Sequence, residues 1–154
     1  VKLRVRRLSP SAVLPSYARE GDAGLDLCVA GIERKTIDGW DAVSEWQTTG
    51  TGAYRYRTGV AVEIPDGYYG RLCGRSSSFA RGLIIPTGTI DSGYRGELLV
   101  GGYVVSQFGL LEPVNIGDRI AQLVIAPVAR VQVEEVAELS ASERGVGGFG
   151  STGR

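Results

Sequence analysis

The stretch Gly59-Val-Ala-Val-Glu-Ile-Pro-Asp-Gly-Tyr-Tyr-Gly-Arg-Leu-Cys73 decides the class of fold. Val60, Val62 and Ile64 fall on every second residue, the spacing that puts side chains on one face of a strand. Pro65-Asp-Gly67 then supplies a fixed φ followed by two turn formers, and a second short apolar run, 68–73, leaves the turn. The reading is strand, turn, strand. Toward the N-terminus, Leu3 and Val5 alternate with Lys2, Arg4 and Arg6, a half-buried strand with a solvated basic face. Further strand signals lie at 25–29, 97–105, 120–126 and 128–136, punctuated by Glu112-Pro113 and Asn115-Ile-Gly117. The 23 glycines suit many tight connections. An all-β domain is expected, a jelly-roll-like sandwich or barrel. One short helix is predicted over 76–81, capped by Ser76 or Ser77 and ended by Gly82.

A length of 154 residues fits one domain, expected to occupy 1–143, with a glycine-rich arm at 144–154. Seventeen basic and seventeen acidic residues cancel, so no global field draws the chain to nucleic acid or to a membrane, and any anion must be held locally. No apolar run approaches eighteen residues and the first residues alternate, which predicts a cytoplasmic protein. Cys28 and Cys73 stand in apolar surroundings without metal-ligand spacing and read as reduced core residues. Histidine is absent, which removes Ser-His and Cys-His nucleophiles and leaves carboxylate, hydroxyl, arginine and backbone as the reactive repertoire. Between 32 and 57 the pattern loosens around Trp40, Trp46, Tyr54 and Tyr56. This segment reads as a longer hairpin or loop packed by its own aromatics, or as a partner surface.

The chemistry concentrates in five stretches. Gly88-Thr-Ile-Asp-Ser-Gly-Tyr-Arg-Gly96 is expected to form a tight hairpin turn in which main-chain groups approach a ligand. Asp91 can there take a proton or position a water, and Tyr94 can present a flat face. Asp22-Ala-Gly-Leu-Asp26 carries two carboxylates of the kind that suit Mg²⁺. Gly74-Arg-Ser-Ser-Ser78 is either a small anion site, with guanidinium, hydroxyls and helix N–H groups, or an ordinary capped turn. Gln122, in the apolar strand of Gly117-Asp-Arg-Ile-Ala-Gln-Leu123, belongs either to a structural network or to a ligand. The last stretch, Arg144-Gly-Val-Gly-Gly-Phe-Gly-Ser-Thr-Gly-Arg154, reads as a floppy terminus or as a segment that folds around phosphate.

In this order the five stretches resemble the motifs of the trimeric dUTP diphosphatase (dUTPase) family, over roughly residues 4–154. The resemblance implies a jelly-roll homotrimer with active sites between subunits, and hydrolysis of dUTP to dUMP and pyrophosphate by attack of water on the α-phosphorus. That activity limits uracil incorporation into DNA and supplies dUMP for thymidylate synthesis. By the same resemblance Asp91 would orient and deprotonate the water. Gly88, Thr89 and Ile90 would help read uracil through main-chain groups, and Tyr94 would pack on the deoxyribose. Arg75, Ser76 and Ser77 would hold phosphates, Gln122 would bind near the α-phosphate and the water, and Asp26 would meet Mg²⁺ through its waters. Gly148, Phe149 and Gly150 would cover the base, while Arg144, Ser151 and Thr152 grip the outer phosphates.

The second motif departs from the family pattern, with Gly74 in place of a proline and Ser77 in place of a glycine. That form is similar to the homologous dCTP deaminases. A deaminase would need a glutamate where Gly101 stands, so hydrolysis is favoured. A nucleotide-gated binding protein of the same fold is a further class, for which the Trp40 and Trp46 segment would be the partner surface.

Overall fold

The computed structural model describes residues 1–45, 48, 50–105 and 112–146. Among them ten strands and one short helix follow the chain as β1 (Arg4–Arg7), β2 (Leu25–Cys28), β3 (Gly31–Lys35), β4 (Trp40–Ala42), β5 (Gly52–Glu63), β6 (Tyr68–Gly74), α1 (Ser76–Ala80), β7 (Leu83–Ile84), β8 (Gly88–Ile90), β9 (Glu97–Val104) and β10 (Arg119–Pro127). A six-stranded sheet runs β4-β3-β5-β9-β7, with β1 also paired to β5, and a four-stranded sheet runs β2-β10-β6-β8. All pairings are antiparallel. No helix of the described residues is long and apolar enough to cross a membrane.

The alternation read from the sequence fills the space between the sheets. Tyr54, Tyr56, Val60, Val62, Leu98 and Val100 point inward from the larger sheet and meet Leu27, Leu72, Ile120 and Leu123 from the smaller in one core. Each such side chain contributes roughly 1.5–3 kcal/mol of burial. The fold is the expected all-β jelly-roll type, as an open sandwich rather than a closed barrel. The turn that joins β5 to β6 is built as its residues demand: Tyr68 N donates to Pro65 O (3.2 Å) and Gly67 takes φ 81°. It carries the chain from one sheet to the other.

Four expectations need correction. Among the described residues of 32–57 the expected hairpin is present as β3 and β4, but it belongs to the large sheet, where β3 also pairs with the first half of β5. Their tyrosines do not pack a private loop, because Tyr54 and Tyr56 alternate into the main core, with ring centroids 6.3 Å apart. Trp40 lies half-exposed under the Arg55 guanidinium (4.7 Å) and the Lys35 ammonium (5.7 Å), while Trp46 falls outside the described residues. Second, 128–136 forms no strand: Val131 and Val133 are exposed, and no strand edge among the described residues pairs with them. Third, α1 has Arg75 as its N-cap with no side-chain cap, so neither Ser76 nor Ser77 caps it; Gly82 does end it, at φ 85°. Fourth, Cys28 and Cys73 are free thiols but only half-buried, outside the core.

Candidate functional site

The small sheet owes its functional row to register. Gln122 on β10 faces Asp26 on β2 and Cys73 on β6, and since Leu27, Leu72 and Leu123 beside them point into the core, these three project from the outer face. Asp26 is 6% exposed, too buried for a carboxylate without partners. It has three. Oδ1 lies 3.4 Å from Arg75 Nη1 and accepts from Gln122 Nε2 at 3.4 Å, and Oδ2 lies 3.2 Å from Arg119 Nη1. Arg75 reaches Asp26 from the start of α1, held there by its extended backbone. Behind the row, a Cβ on Gly24 would stand 2.8 Å from Gln122 Cβ, so the glycine between the two aspartates makes room for the amide. Cys28, near the same carboxylate, has its thiol pKa raised, first by burial and then by the Asp26 charge.

Around this row lies an open cleft of about 500 Å³, lined by Asp22, Asp26, Arg75, Arg119, Gln122 and others. Asp22 serves its turn, accepting from Arg19 N at 2.9 Å. Ser76 and Ser77 open α1, where first-turn N–H groups lack intrahelical acceptors. Ser78 instead turns inward and donates to Ile120 O at 3.2 Å. Of the residues singled out by sequence, Arg75 and Gln122 both meet Asp26.

Asp91 is elsewhere. β8 pairs with β6, and the next strand, β9, belongs to the other sheet, so 88–96 is a crossing between sheets rather than the expected hairpin. Its turn is tied down locally: Tyr94 N donates to Asp91 O (3.0 Å), and Arg95 Nη1 donates to Ser92 O (2.6 Å) and Tyr94 O (2.9 Å). The Tyr94 hydroxyl donates to Glu97 O at 2.9 Å. Glu97 is itself fixed by Arg57 (2.8 Å) and by Gly59 N (2.7 Å). A second cleft, of about 570 Å³, contains Thr89, Asp91, Ser92 and Gly93 beside Tyr68, Tyr69 and Arg130. One chain thus carries the arginine-rich row and the carboxylate turn in separate clefts. Arg144 lines neither, and Gly148, Phe149, Gly150, Ser151 and Thr152 lie outside the described residues. The motif reading passed over Arg19, Arg71, Cys73 and Arg119, all of which line the first cleft. Strand alternation through β6 and the Asp-Arg of 118–119 carried the signal for three of them.

Among the described residues no three Cys, Asp or Glu side chains converge into a metal cage. A carboxylate has about four lone-pair sites, and the three N–H partners of Asp26 leave one for a water hydrogen. The row therefore suits a cation that arrives with its own waters and phosphate ligands, and not one held by protein alone.

A family model described as dUTPase matches residues 39–153. The chain belongs to the dUTPase family. Similar curated dUTPases include the deoxyuridine 5′-triphosphate nucleotidohydrolase of Anaplasma marginale, 43% identical over 99% of both chains. That of Thermobifida fusca is 45% identical over 99% of this chain and 79% of its own. The Staphylococcus bacteriophage 80alpha dUTPase, solved with dUPNHPP, superposes with TM-score 0.80 at 30% identity, covering 99% of each chain. The dUTPase from phage phi11 of S. aureus, whose structure visualises a species-specific insert, superposes with TM-score 0.72 at 27% identity over 92% of this chain and 100% of its own.

Proposed function

We propose that this dUTPase hydrolyses dUTP and water to dUMP, pyrophosphate and a proton by attack of water on the α-phosphorus. The observation that carries the reading is the Asp26, Arg75 and Gln122 row, in the motif order of a family matched over most of the chain. Arg75, with Ser76 and Ser77, takes the outer phosphate oxygens, where guanidinium and amide donors offset charge. Gln122 binds the α-phosphate and the attacking water. Asp91 accepts the proton of that water, and the 88–90 backbone reads uracil. Tyr94 lies against the deoxyribose. From the C-terminal arm, Arg144, Ser151 and Thr152 hold the outer phosphates, and Phe149, between Gly148 and Gly150, covers the base.

Mg²⁺ fits this donor set as an ion carried mainly by the triphosphate, with Asp26 behind its waters. When bound it neutralises phosphate charge. Because Asp91 and the arginine row lie in separate clefts of one chain, we assign the complete site to a homotrimer in which the turn of one subunit faces the row of another. Free thiols at Cys28 and Cys73 suit a reducing compartment, and we assign the enzyme to the cytoplasm. The deciding experiment is pyrophosphate release measured with dUTP and with the four ordinary deoxynucleoside triphosphates. Release from dUTP alone is expected; equal release from dCTP or dTTP, or none from dUTP, refutes the reading.

A further inference from the structure

Arg71 stands in the middle of β6, a strand hydrogen-bonded on both edges, to β10 opposite Val124 and to β8 opposite Thr89. Alternation puts it two residues from Cys73 on the outer face, the face of Asp26 and Gln122, and it lines the same cleft. That cleft holds four arginines, Arg19, Arg71, Arg75 and Arg119, against two carboxylates, Asp22 and Asp26. Both acids are engaged, Asp26 by Arg75 and Arg119, and Asp22 by the backbone of Arg19. No described residue pairs with the guanidinium of Arg71. A five-donor cation, mounted on a fixed strand over a cleft whose acids are already taken, is a receptor for an external anion.

We propose that Arg71 contacts the α-phosphoryl group of the nucleotide, an inference that rests on the triphosphate reading of this cleft. Position along the strand decides which phosphate. Cys73, opposite Gln122, is about 7 Å from Arg71 along β6, and Arg75 is about as far again on the other side. Arg75 therefore approaches the triphosphate from the outer-phosphate side of Gln122, and Arg71 from the nucleoside side. The group Arg71 meets stays on dUMP when pyrophosphate leaves, so its contribution persists with the product.

The test is titration of wild type and Arg71→Gln with deoxyuridine, dUMP and a non-hydrolysable imido analogue of dUTP, alongside pyrophosphate release from dUTP. Affinity for dUMP and for the analogue should each fall by about ten-fold, the scale of one charge-assisted contact. Affinity for deoxyuridine, which has no phosphate, should be unchanged, and Arg71→Lys should recover part of the loss. Unchanged dUMP binding, or equal losses for deoxyuridine and dUMP, overturns the proposal, the second by showing that Arg71 only supports the shape of the site. Light scattering and the melting temperature confirm that the variants keep their assembly. A wild type that releases no pyrophosphate from dUTP refutes the function instead, whereas an active wild type with an indifferent Arg71→Gln refutes Arg71 alone.

Discussion

A Cβ added to Gly96 would lie 2.4 Å from the hydroxyl of Tyr94 and 2.5 Å from the ring carbon that bears it. The ring therefore lies across the backbone of Gly96, with its hydroxyl anchored on Glu97 O at 2.9 Å. If this ring excludes a 2′-hydroxyl, its exclusion depends on a glycine two residues away. Gly96→Ala should displace the ring without touching the core. We expect the ratio of kcat/KM for dUTP over UTP to fall by about ten-fold or more, the size of a modest steric discrimination in a pocket. Tyr94→Phe, which loses only the Glu97 hydrogen bond, should fall less. A Gly96→Ala enzyme with wild-type sugar discrimination would detach Tyr94 from that role.

Asp91 is the one carboxylate among the described residues of its cleft and is proposed as the base. Asp91→Asn should retain binding of the imido analogue and lose turnover by roughly 10² to 10⁴, the usual share of general acid–base catalysis. Turnover close to wild type would remove Asp91 from the mechanism.

The core offers a test against pH. Tyr56 is fully buried and its hydroxyl finds no hydrogen-bond partner among the described residues. Burial is the main cause that raises its pKa, followed by neighbouring Tyr54. The unfolded phenol ionises near pH ~10 while the folded one holds its proton, so the stabilising difference is complete below ~10 and is lost as pH climbs through the folded value. Urea midpoints should therefore decline above about pH 10. Tyr56→Phe should flatten that decline and, by deleting an unsatisfied hydroxyl, stabilise the protein by about 1 kcal/mol at neutral pH. A loss of stability on this substitution would show that the hydroxyl has a partner in solution.

Where local pattern and tertiary position agreed, the fold was legible. The inward residues of β2, β6, β9 and β10 are those that alternation selects. β5 was read as starting at Gly59 because a register shift lies between Arg57 and Ala61, where Gly59 takes φ 68° and Thr58 Oγ1 turns to Leu98 O. The inward phase carries through this irregularity, with Tyr54, Tyr56, Thr58, Val60 and Val62 all buried, but Arg57-Thr-Gly59 interrupts the apolar signal and hides that Tyr54 and Tyr56 continue the same strand. The 88–96 turn carries the composition of a hairpin, yet sheet membership is set by partners distant in sequence, which no local signal encodes. In the site, motif order picked out Asp26, Arg75 and Gln122, and the fold brings the last two onto Asp26. The pairing of Arg119 with Asp26 and the outward placement of Arg71 needed the register of β10 against β2 and β6.

The C-terminal arm gives the last test. The described core ends within β10, whose last strand residue is Pro127, so truncation after Glu143 removes no described core side chain and should leave folding and assembly intact. What it removes is Arg144 and the Phe149, Ser151 and Thr152 side chains, the groups proposed to hold base and outer phosphates. Charge-assisted hydrogen bonds of this kind contribute about 1.5–3 kcal/mol each. Closure over the triphosphate also excludes water and aligns the leaving group, so the effect should fall more on turnover than on binding of dUMP, which has no outer phosphates. The truncated enzyme should still bind dUMP, weakened only by loss of the Phe149 cover on the base, and hydrolyse dUTP on the order of 10² times more slowly. Phe149→Ala should lose less, since the phosphate contacts remain. Hydrolysis by the truncated chain at the full-length rate would show that residues 144–154 take no part in the reaction.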